Sequence, residues 1–376
     1  MVQIDLPRLW DWLTSQQLTA ALLSAPDSFS YLSGYANPTD TSLPFQGCPL
    51  LALIVPGEAP VVVVPCTEEG DFRQASWLTD VWTYANYDWQ HPVQLQAAAC
   101  EAASRLVQRF ELTRGTIGLE KFYLSAAIEE GLRERYPHLR WLDISGRLAD
   151  LRAVKTPAEL AAIQRAAQLS DVGQARVRAL IEPGASEIAI FSEARAAMEQ
   201  AAGQRIRVAG DLVTGQRSGT DGGGLPRDTR LAAGDLVISD IVPRLNGWWA
   251  DSCATLAVGE PSVEQRRWHQ LVAEALEVGR AAARPGVRAS QVDTLVRGYL
   301  ARHGYHYPHH TGHGVGVAQA EAPWIVPYNH TVLQANMVIA LEPGLYPGGS
   351  GGVRLEDLFV VTHDGLQALT HHARQL

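Results

Sequence analysis

Two hydrophobic patterns alternate along residues 1–150. Apolar residues at helical spacing predict helices, and short continuous apolar runs predict strands. The predicted helices cover residues 6–17, 94–110 and 124–135, and the predicted strands cover residues 20–24, 51–55, 61–65 and 116–120. Because helices and strands alternate in this way, we expect an α/β layer domain here.

A helix start marks the beginning of the second part of the chain. Thr156 is expected as the N-cap, Pro157 as the first helical residue, and Glu159 stands at the capping-box position. Residues 186–202 and 290–303 also have helical spacing. These helices lie between pairs of predicted strands, which indicates a second domain of mixed α and β structure.

Length and composition agree with this division. At 376 residues the chain exceeds the size at which a single hydrophobic core usually divides. We therefore expect two domains, residues 1–150 and residues 151–376. Hydrophobic residues make up 46% of the chain and charged residues 19%, which is typical of an ordinary globular protein.

The charge pattern argues against two classes of partner. The formal net charge is −9 and the chain has no basic block, so we expect neither a nucleic-acid partner nor an anionic membrane partner. The N-terminus lacks a basic segment followed by an apolar core, and no apolar run reaches transmembrane length. These observations predict a cytoplasmic protein.

A predicted hairpin brings two aspartates together. Residues 240–251 form two apolar runs around Asn246 and Gly247, a dipeptide typical of a two-residue turn. In such a hairpin Asp240 and Asp251 are diagonal neighbours on one face, about 7 to 8 Å apart. Like charges this close are unfavourable unless a proton or a cation lies between them. For this pair alone, aspartates facing water at strand ends are the simpler interpretation.

Three further residues extend this pair to a possible metal site. His313 lies in a glycine-rich segment, and Glu342 and Glu356 each lie in a strand-like apolar run, where a charge is costly unless it is paired or metal-bound. Four carboxylates and one imidazole suit two divalent ions, with Mn²⁺ preferred and Co²⁺, Fe²⁺ or Zn²⁺ as alternatives. Two ions about 3.5 to 4 Å apart can share a water and lower its pKa.

The order and spacing of these residues resemble a known family. The chain contains Asp-x10-Asp, then H-x-T-G-H-G, E-P-G and R-x-E-D. This combination is similar to the pita-bread metallopeptidases, which include prolidase (Xaa-Pro dipeptidase), aminopeptidase P, methionine aminopeptidase and the non-peptidase creatinase. The resemblance implies a creatinase-like amino-terminal α/β domain, a pita-bread catalytic domain, a homodimer and short proline-containing peptide substrates. The metal ligands that it implies are Asp240, Asp251, His313, Glu342 and Glu356.

Further site residues follow from the same resemblance. His309 lies four residues before His313, where relatives keep a histidine that contacts the substrate, and His310 is expected to be its exposed neighbour. Arg354 has two compatible roles, an ion pair that holds Glu356 or a fork of donors to a substrate carboxylate or a ligand glutamate.

The chain departs from the family pattern at two positions. Peptidase relatives carry a histidine shortly before the strand of the first aspartate, but residues 220–228 contain none. They carry another seven residues after the metal histidine, where this chain has Ala320. The resemblance implies that both histidines bind substrate and stabilise the charge of the tetrahedral intermediate, so their absence bears on the substrate.

Three functions are compatible with the sequence. The first is a peptidase of the prolidase or aminopeptidase P type, in which a metal-bridging hydroxide attacks the Xaa-Pro bond and Glu342 acts as base and proton shuttle. The second is a non-peptidase hydrolase or lyase acting on a small amide or carboxylate compound, which the absent histidines favour. The third is a metal-free binding protein, which the retention of all five ligand types disfavours.

Overall fold

The computed structural model describes residues 2–36, 48–220, 223–348 and 351–376. Asp221 and Gly222, which belong to the histidine-free loop singled out above, lie outside the described residues. The chain divides into two compact units, Met1–Leu151 and Arg152–Leu376.

The first unit is built on a six-stranded mixed sheet. The strand order is β4-β3-β2-β1-β5-β6, in which β2 is antiparallel to β1 and to β3 and the other neighbours are parallel. The strands are β1 (Ala20–Leu23), β2 (Leu51–Ile54), β3 (Val61–Pro65), β4 (Val81–Tyr84), β5 (Gly115–Leu119) and β6 (Leu139–Asp143). The helices are α1 (Leu6–Ser15), α2 (Pro26–Ser33), α3 (Glu69–Ala75), α4 (Leu95–Arg109), α5 (Ala126–Arg135) and α6 (Leu148–Ala153).

The predicted elements of this unit are all present, within two residues of their expected ends. The helices α2, α3 and α6 and the strands β4 and β6 were not predicted. Among these, α2 begins at Pro26, a residue that fits the first turn of a helix. The helix ends at Gly34, whose φ of 72° is the left-handed conformation that glycine adopts at low cost. Six of its eight residues are buried, so it lacks the polar face by which a surface helix is recognised in a sequence.

In its described residues, the second unit contains four long helices and four small sheets. The helices are α7 (Pro157–Leu180), α8 (Glu187–Ala202), α9 (Val263–Ala282) and α10 (Ala289–Arg302), with a short 3₁₀ helix at Gly215–Gly219. The strands are β7 (Arg207–Ala209), β8 (Leu212–Thr214), β9 (Leu236–Asp240), β10 (Val242–Leu245), β11 (Trp248–Trp249), β12 (Cys253–Ala257), β13 (Gly312–Gly314), β14 (Glu321–Ile325), β15 (Val338–Leu341), β16 (Gly344–Leu345), β17 (Val353–Arg354), β18 (Asp357–Thr362) and β19 (Gly365–Ala368).

The order of elements along this unit repeats: a pair of helices is followed by two small sheets, and this arrangement occurs twice. Helices α7 and α8 pack together and precede the sheets β11-β10-β7 and β12-β9-β8. Helices α9 and α10 pack together and precede the sheet β14-β13-β15-β18-β19 and the β16-β17 pair. The predicted capping box at the start of α7 is confirmed, since Thr156 and Glu159 exchange side-chain and backbone hydrogen bonds. Within the described ranges, no helix combines the length and apolar character that crossing a membrane requires.

The predicted turn at Asn246 and Gly247 is confirmed. Both residues have positive φ, 47° and 90°, and Leu245 pairs with Trp248 across the turn. The two strands do not continue as one ladder, however. The β10-β11 pair belongs to one sheet and the β9-β12 pair to another, with Asp251 in the segment between them.

Both predicted glutamates lie at strand ends and not inside strands. Glu342 follows the last residue of β15, immediately before Pro343. Glu356 lies between β17 and β18, where its backbone exchanges two hydrogen bonds with Cys253, 2.9 and 3.2 Å long. This bridge connects the β17-β18 segment to the sheet that carries Asp240.

Candidate metal centre

Asp240 and Asp251 come together at one edge of the β9-β12 pair. Asp240 is the last residue of β9 and pairs with Cys253, and Asp251 lies two residues before Cys253 on the returning chain. Gly210 permits this arrangement, because a Cβ atom on it would lie 2.1 Å from the carbonyl oxygen of Asp240. The sequence argument for two convergent aspartates therefore agrees with the backbone register.

His313 is the central residue of the short strand β13. A Cβ atom at Gly312 would lie 2.0 Å from the carbonyl oxygen of Ala340, and one at Gly314 would lie 2.2 Å from that of Ala322. Both neighbours of His313 must therefore be glycine for the adjacent strands to approach. Nδ1 of His313 lies 2.9 Å from the Gly314 carbonyl, which can only accept. Nδ1 therefore carries the proton, and the Nε2 lone pair is available to a metal ion.

Among the residues that the structure describes, two groups of side chains could hold a cation, and they share His313. The ligand atoms of Asp251, His313 and Glu356 all lie within 4.8 Å of one another, and so do those of His310, His313 and Glu342. Nε2 of His313 lies 3.9 Å from Asp251 Oδ2 and 3.5 Å from Glu342 Oε1. Four of the five predicted ligands are thus brought together in these groups.

The fifth predicted ligand, Asp240, lies close enough to the cluster for its negative charge to affect the pKa of Asp251. Burial, together with the charges of Asp240 and Glu342, raises the pKa of Asp251 well above its usual range. Burial also raises the pKa of Asp240 to about 6, although the guanidinium of Arg354 opposes this increase. Glu356 behaves in the same way, since burial and the charges of Asp251 and Glu342 raise its pKa.

Glu342 differs from the other carboxylates. Burial favours a higher pKa for this group, but the contact with His310, the charges that His313 and His310 carry when protonated, and the charge of Arg354 outweigh it. Together they lower the pKa of Glu342 to about 2, so the group is ionised at neutral pH.

Several buried oxygen atoms of the cluster lack hydrogen-bond donors among the described residues, which bears on whether a cation fits there. Oδ1 of Asp240, Oδ1 of Asp251 and Oε1 of Glu356 are buried, and no hydrogen-bond partner reaches them from the described part of the chain. A buried carboxylate oxygen without a donor is costly. Burial also lowers the pKa of His313, which keeps this imidazole in the neutral form that metals bind. The donor set therefore fits divalent cations.

Arg354 contacts an aspartate of this cluster. Its Nη2 lies 2.5 Å from Asp240 Oδ2 and 3.2 Å from Asp211 Oδ2. The sequence predicts two compatible roles for Arg354, an ion pair that holds Glu356 or a fork of donors to a substrate carboxylate or a ligand glutamate. The contacts above are with aspartates, while the charge of Arg354 opposes the rise in the pKa of Glu356. Strand β17 ends at Arg354, so the alternation that placed Arg354 and Glu356 on one strand face does not continue to Glu356.

The two histidines that precede His313 both approach Glu342, with His309 Nδ1 4.0 Å from Oε2 and His310 Nε2 2.8 Å from Oε1. His309 lies beside Tyr346, with Nε2 2.8 Å from the Tyr346 hydroxyl, and its Nδ1 donates to the His310 carbonyl. His310, expected to be an exposed neighbour, is only one-third exposed (33%), and its Nε2 lies 2.8 Å from Glu342 Oε1. The sequence did not predict that His310 contacts Glu342. The one available signal was its position three residues before His313 in the motif.

Comparison with known proteins identifies the family. The profile described as metallopeptidase family M24 matches residues 161–363, and the creatinase/prolidase N-terminal domain profile matches residues 6–154. The first of these matches covers more than half of the chain. The chain belongs to metallopeptidase family M24. It is therefore an enzyme of a family that depends on divalent metal ions, with a creatinase-type amino-terminal domain and a pita-bread domain, as the motifs predicted.

Individual M24 relatives extend this similarity over nearly the whole chain. The Xaa-Pro dipeptidase of Lactobacillus helveticus is 29% identical over 378 residues, covering 99% of this chain and 98% of the relative. The Xaa-Pro dipeptidase of Pyrococcus furiosus is 32% identical over 69% of this chain and 75% of the relative. Among solved structures, an Xaa-Pro dipeptidase from Bacillus anthracis superposes with a TM-score of 0.82 at 25% identity, over 99% of this chain and 98% of the other.

The two departures from the M24 motif remain evident in the structure. Ala320 is exposed and offers no polar side chain. In the described part of residues 220–228, the Arg227 backbone N–H donates to Glu187, and the Leu225 side chain is exposed. Neither segment supplies an imidazole, so the two histidines that the resemblance implies for peptidase relatives have no counterpart here.

Proposed function

We propose that this M24 enzyme hydrolyses the Xaa-Pro bond of dipeptides or short peptides with two divalent ions. The observation that carries this proposal is the cluster of buried carboxylates around His313, with acidic oxygens that lack donors among the described residues. The printed names of the relatives, Xaa-Pro dipeptidases, support the choice of substrate. The resemblance to two-domain prolidases also supports a homodimer.

The proposed ligands are the five residues predicted from the motif. When bound, the two ions supply a Lewis acid for the scissile carbonyl and lower the pKa of a water that they share. Oxygen-rich ligands with few nitrogens favour Mn²⁺, with Co²⁺, Zn²⁺ or Fe²⁺ as alternatives. The ligand side chains are Asp240, Asp251, His313, Glu342 and Glu356.

Glu342 is the proposed base and proton shuttle. A general base must be unprotonated at the working pH and fixed near the proton that it accepts. The low pKa of Glu342 meets the first condition, and its position beside His310 and His313 in the cluster meets the second. We propose that Glu342 accepts a proton from the attacking water and delivers it to the proline nitrogen as the Xaa-Pro bond breaks.

His309 and Arg354 have separate proposed roles. Burial lowers the pKa of His309 to about 4, so it is neutral at physiological pH, and Tyr346 orients its ring. A neutral imidazole beside a tyrosine hydroxyl suits hydrogen bonding to a peptide substrate. Arg354 is the proposed positioning residue for Asp240, because its guanidinium is buried and already paired with two aspartates.

The second candidate function is a non-peptidase hydrolase or lyase of the same family. The exposed Ala320, at a position where peptidase relatives carry histidine, favours it. A substrate panel of Xaa-Pro dipeptides, other dipeptides and small non-peptide amides separates the two. Preferential hydrolysis of Xaa-Pro dipeptides by metal-loaded protein supports the peptidase, and turnover confined to the non-peptide amides supports the alternative.

A matched variant makes this comparison sharper. The substitution Ala320→His restores the family pattern at an exposed position, so we expect it to leave the fold intact. If a substrate-binding histidine is all that the site lacks, this variant has a higher kcat/KM for Xaa-Pro dipeptides than the original chain. No increase for Xaa-Pro dipeptides, with turnover of another amide retained, favours the non-peptidase function.

A further inference from the structure

The candidate centre contains a second imidazole that the family motif does not require. His310 lies between His309 and Thr311 in the H-x-T-G-H-G segment, at its variable position. Its Nε2 lies 2.8 Å from Glu342 Oε1, the same oxygen that lies 3.5 Å from Nε2 of His313. Both imidazoles therefore approach one carboxylate oxygen.

These separations match those between ligands of one ion. Two ligand atoms about 2.0 to 2.2 Å from a metal are about 3 Å apart at a right angle and about 3.5 Å apart at a tetrahedral angle. The contacts of Glu342 Oε1 with His310 and His313, at 2.8 and 3.5 Å, fall at these values. The ligand atoms of all three residues lie within 4.8 Å of one another.

The surroundings hold the His310 ring in this orientation. Its ring centroid lies 5.3 Å from that of His313 and 5.2 Å from that of Trp324, and both contacts are edge-to-face. The side chain contacts Glu342 on one side and is 33% exposed, so the other side of the ring faces solvent. A neutral imidazole carries its proton on either nitrogen, so binding through Nε2 leaves the proton on Nδ1.

We propose that His310 is a sixth protein ligand, which binds the same divalent ion as His313 and Glu342. The inference rests on the proposed dinuclear site. Since Nδ1 of His313 donates to the Gly314 carbonyl, His313 has only Nε2 to offer and belongs to one ion. Both imidazoles then serve that ion, and the other is left with carboxylates such as Asp240.

The consequence is two unlike positions for metal ions. Imidazole ligands suit Zn²⁺, Co²⁺ and Fe²⁺, whereas carboxylates suit Mn²⁺ and Mg²⁺. A position with two histidines therefore selects the first group more strongly than a position with one histidine. We expect this enzyme to retain one Zn²⁺ or Co²⁺ ion more tightly than the second ion, and His310 to contribute to that difference.

The test is metal binding by full-length protein with the substitution His310→Gln. Protein stripped by chelator is titrated with Co²⁺, and the visible absorption of the bound ion reports its ligands. Competition with a chelator then gives the affinities for Co²⁺, Zn²⁺ and Mn²⁺. The matched control is His309→Gln, whose Nε2 contacts the Tyr346 hydroxyl and whose Nδ1 lies 4.0 Å from Glu342 Oε2, farther from that carboxylate than the 2.8 Å of His310. Exposed His330, substituted by Gln, controls for the loss of a histidine elsewhere.

The proposal predicts a selective effect. In His310→Gln the Co²⁺ spectrum changes, and affinity for the tighter Co²⁺ or Zn²⁺ ion falls by about tenfold or more, while Mn²⁺ affinity falls less. Neither control changes the spectrum in this way. An unchanged spectrum, or an equal fall for all three metals, overturns the proposal, because a histidine that only orients Glu342 does not distinguish among metals. Circular dichroism verifies that each variant is folded.

These results are independent of the substrate. Protein that binds two ions but cleaves no Xaa-Pro peptide contradicts the proposed function and leaves the assignment of His310 open to the same spectroscopic test. Conversely, an active Xaa-Pro peptidase whose Co²⁺ spectrum is insensitive to His310→Gln retains its proposed function and loses the sixth ligand.

Discussion

Arg354 holds one oxygen of Asp240 and leaves the other to the candidate metal centre. Its Nη2 lies 2.5 Å from Asp240 Oδ2, while Asp240 Oδ1 is buried and without a hydrogen-bond partner among the residues that the structure describes. This arrangement fixes the direction of the carboxylate. It also provides a positive charge that offsets part of the cost of burying several acids together.

The role of Arg354 can be tested with Arg354→Lys. Lysine keeps the charge but cannot present the planar guanidinium that contacts Asp240 and Asp211. We expect kcat/KM to fall by about tenfold or more, to a similar extent for an Xaa-Pro dipeptide and for its C-terminal amide, because the lost contact positions Asp240. A loss confined to the substrate with a free carboxylate contradicts this role and indicates that Arg354 binds that carboxylate.

Removing one acid from the cluster should increase the thermal stability of the metal-free protein while abolishing the activity of the enzyme. Burial and neighbouring negative charges raise the pKa of Glu356, so the ionised form of this group destabilises the metal-free fold. We expect Glu356→Gln to abolish activity while raising the Tm of chelator-treated protein by about 2 to 4 °C. The increase should grow as the pH rises from the usual carboxyl range through the raised pKa, since the original glutamate ionises over that interval.

An exposed glutamate provides the control for this measurement. Glu58 is exposed, so Glu58→Gln should change neither the activity nor the Tm appreciably. Asp251→Ala is a second test, because it removes a buried predicted ligand and should abolish activity while leaving a folded protein. Full turnover in either Asp251→Ala or Glu356→Gln would contradict the dinuclear assignment.

Metal binding should release protons. The raised pKa values of Asp251 and Glu356, and that of about 6 for Asp240, mean that these carboxyls retain protons to higher pH than usual. A cation must displace those protons, so affinity should increase as pH rises through these pKa values. Calorimetric titration with Mn²⁺ in buffers of different ionisation enthalpy measures the release. Equal heats in all buffers, from about pH 6 to 8, argue against buried carboxylic acids as ligands.

The glycine before His313 should tolerate no side chain. A Cβ atom at Gly312 would lie 2.0 Å from the Ala340 carbonyl oxygen, so Gly312→Ala must displace β13 or β15. We expect lost metal binding and a destabilisation of about 1 to 3 kcal/mol or more in chemical unfolding. The control is Gly298→Ala inside α10, where the nearest atom lies 4.0 Å away and alanine favours the helix. Equal effects of the two substitutions would contradict the steric argument.

Local sequence signals predicted the local structure well. Asn246 with Gly247, and Thr156 with Glu159, each combine residue types that satisfy one particular backbone geometry, and both predicted features are present. The five-residue motif also identified the family, because its order and spacing are specific even though each part is common. Such signals depend on residues close together in the chain.

Features that depend on tertiary contacts were harder to predict. Apolar runs continue on both sides of Glu342 and Glu356, so periodicity alone could not show that the strands stop beside them. The partner of Arg354 depends on how β17 meets the sheet of Asp240, and the orientation of His310 depends on Trp324, fourteen residues away in sequence. These relationships are established by packing between distant segments.

The most direct test of the proposed function is metal-restored hydrolysis of proline peptides. Protein stripped by chelator is assayed on Xaa-Pro dipeptides and Xaa-Pro-Xaa tripeptides before and after resupply of Mn²⁺, Co²⁺ or Zn²⁺, with bound metal measured in the same samples. We predict no cleavage by the stripped protein and restored cleavage with two bound ions per chain, and the preferred length distinguishes dipeptidase from aminopeptidase. Metal-loaded protein that cleaves neither peptide would contradict the proposed function.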